Sequence, residues 1–307
     1  MRIFKNRGDI YFSKINKKKS AEQRILIIAL IVIVVFTVIF VTALAFKYDF
    51  SAKKFFAPDD LKVTQTQETE EDEPLPEVSG KSNFITLVNS DNNLLYAVLV
   101  QVDLDNISYK VGTLKAGTIC DGNSLADIYK QSGAPNAKKA IETLMGTEFD
   151  YYISMDKKEF SDFFEILGDF SYPILSEIKF KSSGLSVDYS VRLKAGEQKL
   201  NGSQVVNLIR YYLDEENNTS AANDLILNSL LQMINSDNLS KSEDLFRLLV
   251  TTADTNITVR DFSMAADGLA VLADDRTGPG AYSAIAEYES ENINKNSLQK
   301  FKGYFIK

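Results

Sequence analysis

The sequence predicts a three-layer α/β/α domain at residues 83–307, preceded by a single transmembrane helix at residues 25–46. Three observations lead to this prediction. Residues 25–46 are apolar and uncharged, strand-like and helix-like stretches alternate after residue 83, and the strand-like stretch 95–102 is apolar almost throughout. Strands that alternate with helices are typical of a sheet covered by helices on both faces, and an apolar strand is typical of its buried interior.

The apolar stretch 25–46 has the length of a membrane span. A helix of about 22 residues is about 33 Å long, which matches a hydrocarbon core of about 30 Å. A cleaved signal peptide fits less well, because its apolar region is shorter and ends at small residues. Lys and Arg outnumber acidic residues in 1–24. Basic flanks stay in the cytoplasm, so we expect a cytoplasmic tail and a C-terminal domain outside the bacterial cell membrane.

Residues 47–82 are predicted to form an acidic, disordered linker. The run at 68–73 is almost entirely Glu and Asp, and Pro74 and Pro76 follow it. Such a composition offers little to bury and does not form a core. A flexible chain of about 35 residues spans roughly 30–35 Å, so the linker is expected to act as a spacer.

From residue 83 onward, the spacing of apolar residues divides the chain into strands and helices. Pro135 suits the first turn of a helix that Gly146 ends, and Asp156 suits the N-cap of the next helix. The segment 295–307 is predicted to be either a strand that returns to the sheet or a tail. The predicted strands are 84–88, 95–102, 107–114, 149–155 and 187–193, and the predicted helices lie at about 135–145, 157–167, 205–209, 220–234, 242–252 and 259–274.

The composition excludes several classes of function. The chain has no histidine and one cysteine, Cys120, so a Ser-His-Asp or Cys-His catalytic site and an intramolecular disulfide are impossible and a zinc site is not expected. The role of Cys120 stays open. The net charge of −8 argues against nucleic acid as a partner. Any chemistry must depend on carboxylates, Lys, Arg, Tyr or hydroxyl groups.

Four stretches of the exported part resemble the LytR-CpsA-Psr family of bacterial cell-envelope proteins. They are 137–152, 160–168, 193–211 and 255–258, of which the third is the most specific and reads LKAGEQKLNGSQVVNLIRY. Members of this family transfer anionic glycopolymers from an isoprenoid pyrophosphate carrier to peptidoglycan. The resemblance therefore implies arginines and a carboxylate-bound divalent metal for the pyrophosphate, and an elongated apolar pocket for the lipid tail.

Most of the charged residues that the resemblance implies are absent. The family's strand-end Pro-Arg-Asp falls on residues 115–117, which read Lys-Ala-Gly, its second-strand aspartate falls on the leucines at 94–95, and its second paired arginine is Tyr212. Arg210 and Asp91 are retained. Arg210 and Lys115 are thus the candidate ligands of a polyprenyl phosphate, and Asp91 is a candidate vestigial metal ligand.

Each candidate also has a structural interpretation. Arg210 lies four residues before Asp214, at the spacing of a helical ion pair. Asp91 suits an Asx turn at a strand end. Lys115 lies one position from the family's arginine, and an offset of one residue turns a strand side chain to the opposite face. The phenylalanines at 160, 163, 164 and 170 are expected either to line a lipid pocket or to belong to the core.

These observations leave two main hypotheses for the function. The first is a catalytically degenerate envelope protein without a cofactor that binds a lipid-linked or wall glycopolymer, or a partner enzyme or other envelope protein. Losing one preorganised charge-stabilising group costs about 3–4 kcal/mol, and several are missing. The alternative is an active Mg²⁺-dependent phosphotransferase that attaches glycopolymer to peptidoglycan, with Arg210, Lys115 and Asp91 converging on one pocket. A purely structural scaffold is not distinguished from the first.

Overall fold

The computed structural model describes residues 74–182 and 187–306. The predicted cytoplasmic tail, transmembrane helix and most of the predicted linker lie outside these residues. Within them, no helix combines the length and apolarity that a membrane crossing requires.

Fourteen strands occur in the described residues, and most of the longer ones belong to one sheet. The strands are β1 (Lys81–Ser90), β2 (Asn93–Asp103), β3 (Ser108–Lys115), β4 (Ile119–Cys120), β5 (Asn123–Ser124), β6 (Tyr151–Asp156), β7 (Phe170–Ile174), β8 (Ile178–Lys181), β9 (Ser190–Leu193), β10 (Gly196–Leu200), β11 (Asp254–Thr255), β12 (Gly280–Ala284), β13 (Tyr288–Glu289) and β14 (Asn292–Ile293).

The central sheet is mixed and has the strand order β11-β6-β1-β2-β3-β12. The strands β1, β2 and β3 form an antiparallel meander. Strand β6 is parallel to β1 and β12 is parallel to β3, whereas β11 is antiparallel to β6. Four two-stranded sheets pair β4 with β5, β7 with β10, β8 with β9 and β13 with β14. The prediction of an α/β domain with a central sheet is confirmed.

The helices between these strands form the other layers of the domain. The helices are α1 (Leu125–Met145), α2 (Lys157–Leu167), α3 (Gly202–Arg210), α4 (Thr219–Met233), α5 (Ser236–Leu239), α6 (Ser242–Thr252), α7 (Val259–Met264), α8 (Ala266–Ala273) and α9 (Lys295–Tyr304), and a π-helical segment, Tyr211–Glu215, continues α3.

Two helices differ from the prediction in where they begin or break. Helix α1 begins ten residues before Pro135, where the Ser124 side chain accepts a hydrogen bond from the backbone N–H of Asp127. Gly133, with φ 75°, kinks the helix, so Pro135 occupies the first turn after the kink. The predicted helix 259–274 is two helices that meet at Ala265.

The prediction for 295–307 was wrong, because this segment contains helix α9. Its Phe301 and the following Phe305 are fully buried. A Cβ atom at Gly112 would lie 2.6 Å from the Phe301 ring, so the strand accepts this aromatic ring only because the residue is glycine. The Phe305 carbonyl accepts a 3.3 Å hydrogen bond from the Asn83 side chain in β1. Helix α9 and the residue after it therefore pack against the central sheet, to which β1 belongs.

Side chains that alternate along β2 bury both faces of the sheet. Ala97 and Leu99 belong to an apolar cluster with α1 and α9, whereas Tyr96 and Val98 belong to a second cluster with α2, α3 and α4. Successive side chains of a strand point to opposite faces, so the apolar sequence of β2 requires helices on each side.

The N-terminus of α3 lies against α2. Asn201 caps this helix, and its side chain accepts from the Gln204 N–H while the Gln204 side chain accepts from the Asn201 N–H. A Cβ atom at Gly202 would lie 2.5 Å from the Ser161 Cα in α2. Because the obstacle is backbone, an added methyl group would have to push the two helices apart.

We expect Gly202→Ala to lower the free energy of unfolding by about 1–3 kcal/mol. The matched control is Gly303→Ala in α9, where a Cβ atom would meet nothing within 4 Å. This control should be neutral or slightly stabilising, because Ala favours a helix more than Gly by about 1 kcal/mol. Urea unfolding of the full chain, followed by circular dichroism, measures both. Equal midpoints for the two variants would contradict the packing argument.

Candidate functional site

An apolar cavity of about 340 Å³ lies between the sheet and the helices on the Val98 face. Protein interiors contain few voids larger than a water molecule, and an apolar void of about 150 Å³ already binds benzene. A space of this size is therefore suited to an apolar ligand. Its walls include Thr86, Val98, Val100, Ile153, Met155, Phe160, Phe163, Phe164, Val205, Ile209, Leu230, Leu239, Ser242, Leu245, Leu249, Leu269 and Ala273.

Of the four predicted phenylalanines, three line the cavity and one belongs to the core alone. Phe160, Phe163 and Phe164 line the cavity. Phe170 does not line it, and its ring packs 6.1 Å from the Phe164 ring in the core. Helix α2 carries the lining residues and begins with a capping box in which Asp156 and Glu159 exchange hydrogen bonds with the backbone.

A helix that lines the cavity ends in a buried charged group. Arg210 is the last residue of α3 and follows Ile209, which lines the cavity. Its side chain is only 5 % exposed, and its guanidinium lies 3.9 Å from the centroid of the Tyr189 ring. The guanidinium also donates a 3.1 Å hydrogen bond to the Val187 carbonyl. Helix α3 thus contributes apolar side chains to the cavity and a buried cation at its own C-terminus.

The π-helical segment after α3 places Asp214 beside this cation. The Asp214 Oδ2 lies 3.8 Å from the Arg210 Nε, which is an ion-pair distance but too long for a hydrogen bond. The Glu216 N–H donates to the Tyr211 carbonyl five residues earlier. Such wide turns occur frequently at functional sites. The predicted ion pair of Arg210 is therefore present, but it leaves the Nε without a hydrogen bond.

Three buried polar atoms near Arg210 have no hydrogen-bond partner in the described residues. They are the Arg210 Nε and the hydroxyl groups of Tyr96 and Tyr189. Burial raises the pKa of both tyrosines, so both keep the proton that they can donate. A buried unsatisfied polar group costs about 1–3 kcal/mol. The oxygen atoms of an anion would satisfy both hydroxyl groups and the guanidinium nitrogen.

Lys115 belongs to the same region as Arg210. It is paired with Tyr96 across β2 and β3, and its ammonium lies 5.0 Å from the centroid of the Tyr288 ring. Alternation along β3 puts it on the face of Tyr109, which is the face that Arg210 covers. Burial lowers the pKa of Lys115, and Asp214 opposes this shift. Asp214 is thus an electrostatic neighbour of both cations.

Asp91 lies in the β1–β2 turn, at a distance from this cluster along the sheet edge. It is exposed, has a left-handed φ of 51°, and its N–H donates to Asp156 at the end of β6. Strand β6 is on the opposite side of β1 and β2 from Lys115. No contact joins Asp91 to Arg210 or Lys115 in the described residues. The structure therefore brings two of the three candidate residues together and leaves the third outside.

The donor set at this edge does not fit a bound divalent metal. Throughout residues 74–182 and 187–306, no three His, Cys, Asp or Glu side chains lie close enough together to hold a metal ion. Magnesium prefers several carboxylate oxygens, whereas Asp214 has the cations Arg210 and Lys115 and one further carboxylate, Glu215, as its charged neighbours.

Tyr96 and Tyr189 were missed as site residues from the sequence. A signal existed for Tyr96, which carries a hydroxyl group in an otherwise apolar strand. Tyr189 carried none, because its contact with Arg210 depends on the folded arrangement of β9 and α3. Cys120 is buried and unpaired, and burial raises the pKa of its thiol to about 11. The buried thiol is therefore protonated.

The sequence matches a protein family, and the fold matches solved structures. The LytR_cpsA_psr family matches residues 89–290. No curated protein matches the chain in sequence. A protein from Eubacterium siraeum described as a transcription regulator is 17% identical, with a TM-score of 0.62 over 81% of this chain and 98% of its own. TagV of B. subtilis is 14% identical, with a TM-score of 0.55 over 74% of this chain and 96% of its own. TagT bound to LI-WTA is 12% identical, with a TM-score of 0.52 over 73% of this chain and 88% of its own.

The environment of Asp214 predicts a pH-dependent stability. Burial raises the pKa of Asp214 to about 6, although Arg210 and Lys115 lower it. Since the folded pKa exceeds the unfolded one, the favourable contribution is complete below about pH 4 and is lost as the pH rises through about 6. Asp214→Asn lacks this titration. We therefore expect the free energy of unfolding of Asp214→Asn, relative to that of the wild type, to rise by roughly 1–3 kcal/mol as the pH increases from about 4 to about 6.

Urea unfolding of both proteins across this pH range measures the difference. Asp237→Asn, at an exposed carboxylate of α5, is the matched control. A difference between Asp214→Asn and the wild type that does not change with pH, or that changes equally in the control, would contradict the assignment to Asp214.

Proposed function

Because the chain belongs to the LytR-CpsA-Psr family, we propose that it is a membrane-anchored, extracytoplasmic cell-envelope protein that binds a lipid-linked glycopolymer without transferring it. The observation that carries this proposal is the apolar cavity, which is lined in part by α3, the helix whose last residue is the buried Arg210. TagT, which shares the fold, has been solved bound to LI-WTA. The carrier's isoprenoid tail would occupy the cavity, and its phosphate would meet the cation.

Arg210 supplies the charge that this ligand requires. A phosphate that reached the buried Nε would accept a charge-assisted hydrogen bond and would compete with Asp214 for the guanidinium. The hydroxyl groups of Tyr96 and Tyr189 are donors in the same region. Lys115 adds a second positive charge, and Tyr288 holds its ammonium by a cation–π contact. These residues bind and orient an anion.

Transfer of the polymer needs groups that this cluster lacks. Pyrophosphate cleavage leaves a phosphate whose charge must be stabilised, and the family's means are a second arginine and a carboxylate-bound metal. Here Tyr212 stands in the place of that arginine, and residues 115–117 stand in the place of the arginine–aspartate pair. Each absent group is worth about 3–4 kcal/mol of transition-state stabilisation. Binding therefore persists while turnover does not.

The active phosphotransferase is the second candidate, and one observation favours it. Lys115 lies on the Arg210 face of the sheet and shares Asp214 as a neighbour, so two cations are available for a pyrophosphate. The position of Asp91 opposes it, because the third residue that this mechanism needs is beside Asp156. Peptidoglycan and other envelope proteins would be partners under either candidate.

The test uses the full chain in detergent micelles and radiolabelled decaprenyl pyrophosphate with Mg²⁺. We expect saturable binding without release of phosphate. Arg210→Met should weaken binding about tenfold or more, because it removes a charged hydrogen-bond donor. Arg192→Met, at an exposed arginine of β9, is the matched control and should bind as the wild type does. Phosphate release that Arg210→Met abolishes would refute the degenerate assignment.

A second variant tests whether the lipid tail occupies the cavity. Ala273 is 3 % exposed and lines the cavity, so Ala273→Phe should fill the space and abolish binding without unfolding the domain. Ala266→Phe places the same ring at an exposed position of the same helix and should leave binding intact. If decaprenyl pyrophosphate binds Ala273→Phe as well as it binds the control, the tail does not occupy this cavity.

A further inference from the structure

Asp214 is the acidic member of the cluster around Arg210 and is more exposed than the cation. Its side chain is 30% exposed, whereas that of Arg210 is 5% exposed. The Asp214 Oδ2 lies 3.8 Å from the Arg210 Nε, so it shares the charge without accepting a hydrogen bond. A ligand oxygen that accepts a hydrogen bond from the Nε would therefore lie within about 7 Å of this carboxylate oxygen.

The three atoms near Arg210 that have no hydrogen-bond partner in the described part of the chain are donors. They are the Arg210 Nε and the hydroxyl groups of Tyr96 and Tyr189. Burial raises the pKa of both phenols, so both stay protonated near neutral pH. A ligand phosphate would accept from such donors, and a neutral Asp214 carboxyl group would add one more. An ionised Asp214 instead brings a like charge to the ligand.

The surroundings of Asp214 bring its titration close to neutral pH. Burial is the largest effect and raises the pKa of Asp214 to about 6, although Arg210 at the end of α3 and Lys115 in β3 lower it. The adjacent Glu215, on the same π-helical segment, raises it further. The other titratable groups that face Asp214 are the neutral phenols of Tyr96 in β2 and of Tyr189, the residue before β9. Asp214 is therefore the member of the cluster whose charge changes near neutral pH.

We propose that the cluster binds its anion together with a proton, and that Asp214 takes up this proton. The ionised carboxylate repels a phosphate at Arg210, because like charges brought together in a binding site oppose association. The neutral carboxyl group removes this repulsion and can donate a hydrogen bond to a phosphate oxygen. This inference rests on the proposed function, because it requires that the ligand of the cluster is an anion.

A purely structural ion pair would have the opposite effect on binding. If Asp214 only held Arg210 in position, its ionised form would favour the ligand, and Asp214→Asn would weaken binding by releasing the guanidinium. If Asp214 takes up the proton, Asp214→Asn should strengthen binding, because an amide brings no negative charge to the site. A gain of affinity cannot arise from a variant that merely fails to fold. The sign of the change therefore separates the two roles.

The test measures binding of a ligand of fixed charge to the full chain in detergent micelles. The probe is decaprenyl diphospho-N-acetylglucosamine, whose substituted phosphates do not titrate near neutral pH. We expect the wild-type affinity to be constant below about pH 6 and to fall by up to about tenfold per pH unit above it, because the bound state holds one more proton. Asp214→Asn should show no such dependence and should bind about tenfold or more tightly than the wild type at about pH 7.5.

Glu215→Gln is the matched control. It removes the same charge from the next residue of the segment, where the side chain is exposed. This variant should keep the wild-type pH dependence and change the affinity by less than about threefold, because an exposed charge is largely screened. An equal gain of affinity in Glu215→Gln would show that net charge alone acts, and would overturn the proposal. A pH dependence that persists in Asp214→Asn would also overturn it, because the proton would then bind elsewhere.

Calorimetry in two buffers of different ionisation enthalpy counts the protons directly. At about pH 7, we expect the wild type to take up close to one proton per bound ligand and Asp214→Asn to take up none. Saturable binding without proton uptake by the wild type would refute the role of Asp214 alone and would leave the proposed function intact. If neither protein binds the probe at any pH from about 5 to about 8, the proposed function fails and this inference fails with it.

Discussion

The central strand β2 is apolar on both of its faces, and the arrangement of the whole domain follows from covering them. On one face, Leu99 belongs to the same cluster as Phe301 of α9, and the glycine at 112 leaves room for the Phe301 ring. On the other face, helices α2, α3, α4, α6 and α8 cover the sheet without filling the space beneath them. The two faces therefore differ in kind, since one is close-packed and the other encloses a cavity.

The charged cluster at the C-terminus of α3 has features that would be unfavourable in an ordinary core. Arg210 is buried on an aromatic ring, its ion-pair partner is too distant for a hydrogen bond, and two tyrosine hydroxyls near it have no hydrogen-bond partner in the part of the chain that the structure describes. Burial lowers the pKa of Arg210 and raises that of Asp214, so the environment disfavours both charges. A fold retains such a cluster when a ligand completes it, and an anion with several oxygen atoms would do so.

The sequence predicted the central sheet better than its surroundings. Strands β1, β2 and β3 were evident because their apolar runs are long and are separated by turn residues. Helix α9 was not, because lysines at 295, 300 and 302 conceal the four-residue spacing of Phe301 and Phe305. Arg210 and Lys115 were found through family resemblance, whereas Tyr189 was not, because its role arises only when β9 and α3 meet. The position of Asp91 depended on the β1–β2 turn, whose direction the sequence does not specify.

The hydrogen bond between Asn83 and the Phe305 carbonyl joins β1 to the segment after α9, 222 residues later. Contacts between residues so distant in sequence form slowly, because the intervening chain must be ordered first. The Asn83 amide also donates to the Glu148 carbonyl, and Asn83 accepts from Gln101, so three segments depend on one buried side chain. The core on this face of the sheet is consequently incomplete until Phe305 has been synthesised.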